Sequence, residues 1–340
     1  GISYKALQDR INATVMRIFI LAVFGVMLGI VMAILFGSTI TRPLNTLREG
    51  AEIFATGNFA HRVVVKTKDE IFTLAESFNK MAADIEKGTK AMLYRERVTK
   101  ELELAAKIQK QLLPPSMPVI AGLDISAGLI PAEEIGGDCY DFIRVDDNNL
   151  MFYLGDVTGH GVPSGIVVSI ANALFYTFAG QKDLKSILVD VNRVLKAKTT
   201  ASMFMTLVLM NWDALNSKLS YVSAGHEQVI HYKAATDSVE LLPSGGLALG
   251  MIKDISKNLL MRDVQMEKGD VLLLYSDGIP EAWRNEREMY GMMRLQSIVK
   301  EYSKFPSALA IKNSIMADVY MFRQGYKQMD DITAIVLKKT

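Results

Sequence analysis

Leu150-Met-Phe-Tyr-Leu154, running straight into Gly155-Asp-Val-Thr-Gly-His-Gly161, is the stretch on which the fold turns. Five apolar residues followed by a glycine-marked turn read as a buried strand that ends in a carboxylate, Asp156. The same grammar recurs outward from it. Val271-Leu-Leu-Leu-Tyr275 leads into Ser276-Asp-Gly278, and Asp330-Asp331 leads into Ile332-Thr-Ala-Ile-Val-Leu337. A fourth aspartate, Asp138, lies in Ile135-Gly-Gly-Asp-Cys-Tyr-Asp141. Any one of these alone is an ordinary turn residue. Four strand-end carboxylates together can converge, and they then repel one another unless cations neutralise them. Hard divalent ions such as Mg or Mn prefer oxygen ligands, so the pattern outlines a metal-dependent hydrolase.

Further motifs lie between those sites: Met203-Phe-Met-Thr-Leu207, Ser223-Ala-Gly-His226 and Leu247-Ala-Leu-Gly250. Their order and flanks, from Ile108 to Lys338, resemble the PPM-type (protein phosphatase 2C-like) serine/threonine phosphatases of the bacterial SpoIIE/RsbU branch. The resemblance implies an α/β (α+β) domain over 114–340, a β-sandwich of two antiparallel sheets flanked by helices. Ser164–Ala179, Leu184–Lys198 and Pro306–Phe322 are the candidate flanking helices. It also implies two divalent metal ions, Mn or Mg, sharing a water and a bridging carboxylate. Asp156 takes the bridging place, with the Val157 backbone carbonyl beside it. Asp277 and Asp330 complete one ion, and Asp138 holds the other directly or through water. Asp156, Asp277 and Asp330 are thus catalytic through the shared water, with no covalent intermediate. Asp141 and Asp331 fall in supporting positions.

Some positions depart from the wider family. Thr158 stands where eukaryotic relatives place a histidine, and His160, two residues on, reads as stabilising the turn. No arginine matches the phosphate clamp of those relatives. His226 fits the bacterial branch and reads as structural. Cys139, where the family often has an aromatic residue, reads as a small buried side chain rather than a reactive thiol. The absence of a Cys-x5-Arg loop counts against the cysteine-dependent phosphatases.

The 340 residues leave room for two or three folded units, and a net charge of +1 gives no basis for bulk binding to nucleic acid. One cysteine excludes an internal disulfide and any metal site built from several thiolates. Ile18–Phe36 carries no charge, and Arg17 and Arg42 bracket the uncharged run. A helix over that run is about 28 Å long, close to the hydrocarbon thickness of a bilayer. We read a transmembrane helix at 18–40, preceded at 1–17 by the end of an extracytoplasmic or membrane-proximal helix. Lysine and arginine on both sides leave orientation open on charge alone. Cytoplasmic substrates place the remainder in the cytoplasm, beneath the bacterial inner membrane. The chain reads as a fragment lacking an extracytoplasmic sensor and an earlier span.

After the span, Thr41-Arg-Pro-Leu44 opens a helical pattern on Leu44, Leu47, Ala51 and Phe54. Gly57-Asn58 breaks it, an extended Phe59–Val65 follows, and Asp69-Glu70 starts a second pattern on Ile71, Leu74, Phe78, Met81 and Ile85. Helix, connector, helix below a membrane resembles a HAMP domain, at 41–88. Two such half-stripes bury themselves only in a bundle with a second copy, so a homodimer is expected. Residues 89–113 read as a coiled-coil linker whose two apolar seams are out of phase by about three residues, a local overwinding. Glu103-Leu-Ala-Ala-Lys-Ile-Gln-Lys-Gln-Leu-Leu-Pro-Pro115 resembles the helix leading into this branch's phosphatase domain.

The chain thus reads as a membrane-tethered dimer that dephosphorylates phosphoserine or phosphothreonine. In the resembled branch the substrate is usually a STAS-domain anti-anti-sigma factor in a partner-switching pathway. The alternative is a catalytically inactive phosphatase fold serving as a docking module. Four aspartates argue against it, because a scaffold has no need of a costly acidic cluster.

Overall fold

The computed structural model describes residues 4–340 apart from 182 and 201. It divides into two compact units, one reaching Thr99 and one starting at Lys100.

In the first unit, α1 (Tyr4–Phe36) continues through a π-helical turn, Gly37–Thr41, into α2 (Arg42–Ala55). The turn closes with the Arg42 amide donating to the Gly37 carbonyl. Its extra residue carries the helix past Pro43, which has no amide hydrogen to give. The helix is long and apolar enough to cross a membrane, and its apolar side chains are exposed. Along α2 the inward stripe is Pro43, Leu47, Gly50 and Phe54. The expected stripe on Leu44, Leu47, Ala51 and Phe54 is therefore corrected at two places. The reason lies at Gly50, where an added Cβ would meet Val63 Cγ2 at 2.2 Å. The connector packs its valine into that gap, so the glycine faces inward and Leu44 is left exposed.

Val63 is also pinned by Asn79, which accepts from its amide (2.8 Å) and donates to its carbonyl (2.7 Å). Asn79 belongs to α3 (Glu70–Lys110), whose Phe78 stacks on Phe54 at 4.6 Å. No break in α3 marks the phase shift between its two seams. On its first half Ala75 and Ala82 are buried, while Leu74, Met81 and Ile85 remain exposed.

The second unit is a sandwich of two five-stranded sheets. One sheet holds β1 (Leu123–Ile130), β12 (Ile332–Lys339), β9 (Val271–Tyr275), β6 (Ile230–Lys233) and β7 (Ser238–Leu241), in that order. The other holds β2 (Asp138–Arg144), β3 (Asn149–Val157), β4 (Met205–Asp213), β5 (Lys218–Ala224) and β8 (Met261–Gln265). Neighbouring strands are antiparallel. A separate hairpin pairs β10 (Trp283–Asn285) with β11 (Glu288–Met289). Strands alternate their faces, so each sheet turns one set inward against the other and one set outward. Phe152, Leu154, Trp212, Leu274 and Ile335 pack between the sheets.

The outward faces are apolar as well and need cover. Helices α4 (Val162–Phe178) and α5 (Leu184–Lys198) supply it on one side. Helices α6 (Met292–Tyr302) and α7 (Ala308–Arg323) supply it on the other. The expected flanking helices correspond to α4, α5 and α7, and α6 is an addition. Trimming Phe152, fully buried between the sheets, to alanine leaves a cavity among apolar core residues. Phe152→Ala should cost about 3–5 kcal/mol, read as a lowered melting temperature by the near-ultraviolet signal of the buried Trp212.

Candidate active site

β2 and β3 pair so that Asp138 lies directly opposite Asp156. Both belong to the inward-facing set: Tyr140 and Leu154, one step further in, are core residues between the sheets. Side chains opposite one another in an antiparallel ladder sit about 4.5–5.5 Å apart at Cβ, and like charges there repel. Burial, and then the Asp156 charge, hold the Asp138 carboxyl well above the usual aspartate range. Asp156 is pushed up to about 7 by burial first and by Asp277 and Asp330 next.

The other sheet delivers the remaining pair. Asp277 follows β9 and Asp330 precedes β12, two strands paired with Ala334 opposite Tyr275. Burial, then Asp330, Glu281 and Glu227, push Asp277 up to about 6. Burial also raises Asp330. Close backbone approach makes this convergence possible. A Cβ on Gly137 would stand 2.4 Å from the Val157 carbonyl oxygen, and one on Gly278 would stand 2.0 Å from the Asp331 carbonyl oxygen.

Around the acids, the last layer between the sheets changes from apolar to polar. Thr333 donates its hydroxyl to Asp138, and its amide donates to Ser276 Oγ at 3.0 Å. Ser276 in turn donates to the Asp331 carbonyl at 3.2 Å. Asp331 commits both carboxylate oxygens to main chain, Oδ1 accepting from the Ala132 amide (2.8 Å) and Oδ2 from the Asp138 amide (3.1 Å). It ties β12 to the start of β2. On the far side of the same loop, Gln109 donates to the Gly136 carbonyl (2.8 Å) and accepts from its amide (3.2 Å).

Asp141 is not brought to this cluster. It lies on the opposite face of β2, where Asn172 of α4 donates to it at 3.1 Å. His160 stands outside in an exposed contact with Glu133 at 2.7 Å, near enough to Asp330 to favour its charged form. Thr158 bonds the Phe204 main chain instead of facing the carboxylates. Cys139 is buried, its thiol pushed up by burial and then by Asp138 and Asp156. Two acids escaped the sequence reading, Glu227 and Glu281. Glu227 directly follows the Ala-Gly-His motif, which was the available signal.

The donors suit hard cations: every one is oxygen, and no lysine or arginine contributes to the shifted pKa values of the four aspartates. The carboxylates line the rim rather than meet. Among the described residues no three His, Cys, Asp or Glu side chains are drawn in around a common metal-sized point. A cavity of 340 Å³ bounded by Gln109, Leu129, Val168, Cys139 and Asp138 lies alongside. Of the four aspartates only Asp138 borders it, so the cavity meets the acidic rim at that residue.

Residues 146–340 match the family described as Stage II sporulation protein E (SpoIIE). The chain belongs to the SpoIIE family. Residues 35–87 match the HAMP domain, which takes in α2, the connector and the start of α3. The SpoIIE-family chain is 30% identical over 246 residues to phosphoserine phosphatase RsbU of Bacillus subtilis, covering 72% of each protein. Its fold is similar to the SiaA-PP2C domain of Pseudomonas aeruginosa, with a TM-score of 0.61 at 18% identity over 73% of this chain and 98% of that one. It is also similar to RsbX in complex with magnesium, with a TM-score of 0.50 at 19% identity over 66% and 99% of the two chains. This SpoIIE-family member is therefore a serine/threonine phosphatase with a PP2C-type domain, and phosphatases of this kind are metal-dependent.

The raised carboxyl groups set the pH behaviour of the metal-free protein. Asp156 and Asp277 hold protons in the fold that the unfolded chain releases above 3.8. Their contribution to stability is full below that value and is lost as pH climbs through about 6 and about 7. In EDTA at pH 7, Asp156→Asn should therefore melt higher than wild type, by about 2–4 °C per kcal/mol of relieved repulsion. The difference should close at pH 4 and reverse when Mn is added, as differential scanning fluorimetry can check.

Proposed function

We propose that the chain is a membrane-anchored, dimeric receptor phosphatase that removes phosphate from phosphoserine or phosphothreonine on a STAS-domain protein of a partner-switching pathway. The observation that carries the reading is the largely buried acidic layer of Asp138, Asp156, Asp277 and Asp330, with no lysine or arginine among the charges that shift it, at one end of a SpoIIE-family sandwich. Similarity to a phosphoserine phosphatase over 72% of the chain supports the substrate class.

Two divalent ions, Mn or Mg, held by Asp138, Asp156, the Val157 carbonyl, Asp277 and Asp330, would supply an activated water and cancel the charge of the phosphate. The chain's own groups prepare that place. Thr333 fixes the Asp138 carboxylate from below, and Asp331 fixes its main chain. Gly137 keeps the Val157 carbonyl uncovered. Glu227 and Glu281 add negative charge beside Asp277, which favours retention of cations at the rim. In-line attack on phosphorus then needs no nucleophilic side chain, consistent with the burial of Cys139.

The apolar helix before the HAMP domain supports anchoring in the bacterial inner membrane, with HAMP and phosphatase in the cytoplasm. The exposed stripe of Leu74, Met81 and Ile85, at 54%, 49% and 40% exposure, supports burial against a second copy in a parallel four-helix bundle.

Two experiments test this. In the first, the full chain in detergent micelles is given a phosphorylated STAS-domain protein, and phosphate release is followed. Release should require Mn or Mg, stop with EDTA, and fall at least about 100-fold in Asp156→Asn and Asp277→Asn. No release from wild type against several such substrates would leave the inactive docking module as the better description. In the second, Met81→Cys in native membranes should crosslink to itself on mild oxidation, whereas Glu76→Cys on the same helix should not. Equal crosslinking at both positions would remove the support for the bundle.

A further inference from the structure

His226 is buried at 5% exposure, yet it is absent from the metal set and from the apolar core. β5 ends at Ala224, and Gly225 turns with φ +73°, a conformation that side chains resist. Gly225 also forms a parallel bridge with Leu207. The bend delivers the next residue, His226, into the space between the sheets. There Nδ1 lies 3.0 Å from the hydroxyl of Thr206. Thr206 is the residue directly opposite Asp156 on β4, and the two share the inward face.

The ring also lies near the main chain of Tyr275, two residues before Asp277 on the other sheet, and its Nε2 has no hydrogen-bond partner. Burial drives the imidazole down to about 4, so the ring is neutral and adds no cation to the acidic rim. A buried polar atom without a partner carries an energetic cost, and an aliphatic side chain of the same volume would avoid it. The ring thus lies between β4, whose Thr206 stands opposite Asp156, and the end of β9, which leads to Asp277.

We propose that His226 is a positioning residue of the phosphatase site, a spacer that through Thr206 and the Tyr275 main chain sets the separation of Asp156 from Asp277. The inference rests on the two-metal reading above. Partners one shell removed from a metal ligand typically change metal affinity or activity by about 10- to 100-fold when removed. The full chain in detergent micelles is compared with His226→Leu, His226→Asn and Thr206→Val by calorimetric Mn titration and by steady-state kinetics.

His226→Leu and Thr206→Val should each weaken Mn binding by about 10- to 100-fold and lower kcat while KM for the phosphoprotein stays within about twofold. The double variant should be no worse than either single change, since both remove the same link. His226→Asn, whose amide can still meet the Thr206 hydroxyl, should recover a large part of the loss. Folded His226→Leu and Thr206→Val proteins with wild-type Mn affinity would overturn the inference. If His226→Leu does not fold, Thr206→Val, nearly isosteric, decides alone by the same criterion. A wild type that takes up no Mn would instead bring down the metal reading, and the inference with it.

Discussion

Everything at the site end depends on Asp138 and Asp156 facing each other across one rung of a buried ladder. A sheet does not place two carboxylates there cheaply, because the rung brings them close and burial removes the water that would screen them. The surrounding structure answers that constraint. Asp331 clamps the Asp138 amide, Thr333 supplies a donor to its carboxylate, and glycines let three loops approach closely enough to hold the arrangement. What remains uncompensated is negative charge, and this is the property a cation-dependent phosphatase needs in its resting state.

The same constraint explains the cross-section of the sandwich. One step below the acids the space between the sheets is filled by Tyr140, Leu154, Val208, Leu274 and Ile335. One step higher on those strands stand Asp138, Asp156, Thr206, Ser276 and Thr333. The period-two pattern continues unbroken while its chemistry changes from apolar to polar. The rigidity of the apolar layers is thereby passed to the carboxylates with no intervening flexible loop. The loop before Asp138 is held from both sides, by Gln109 and by Asp331.

Local pattern made much of this legible. The run at Leu150–Leu154 lies within β3, and helix α5 spans the same Leu184–Lys198 that its periodicity marks. The sheet order was not readable, because pairings such as Leu123 with Lys339 join distant parts of the chain and leave no local trace. Helix α6 went unnoticed because it is short, starts at a glycine with no side-chain cap, and turns only Leu295, Ile298 and Val299 inward. In the first unit a single glycine moved the inward stripe of α2, a packing effect that a hydrophobicity pattern does not register. The resemblance supplied the four aspartates. Face parity then separates Asp141, three residues from Asp138, from the inward set, whereas the approach of Glu227 and Glu281 to Asp277 required the three-dimensional fold.

Cys139 is the chain's one cysteine, buried beneath α4 and beside acids that oppose its ionisation. Oxidants and alkylating reagents act on thiolates, and this thiol is held in its protonated form with little of its surface exposed, at the wall of the cavity beside α4. The native protein therefore behaves chemically as if it had no cysteine. Thiol oxidation should leave its catalytic end intact, and a single cysteine introduced on its surface would be the thiol that takes up a spectroscopic label.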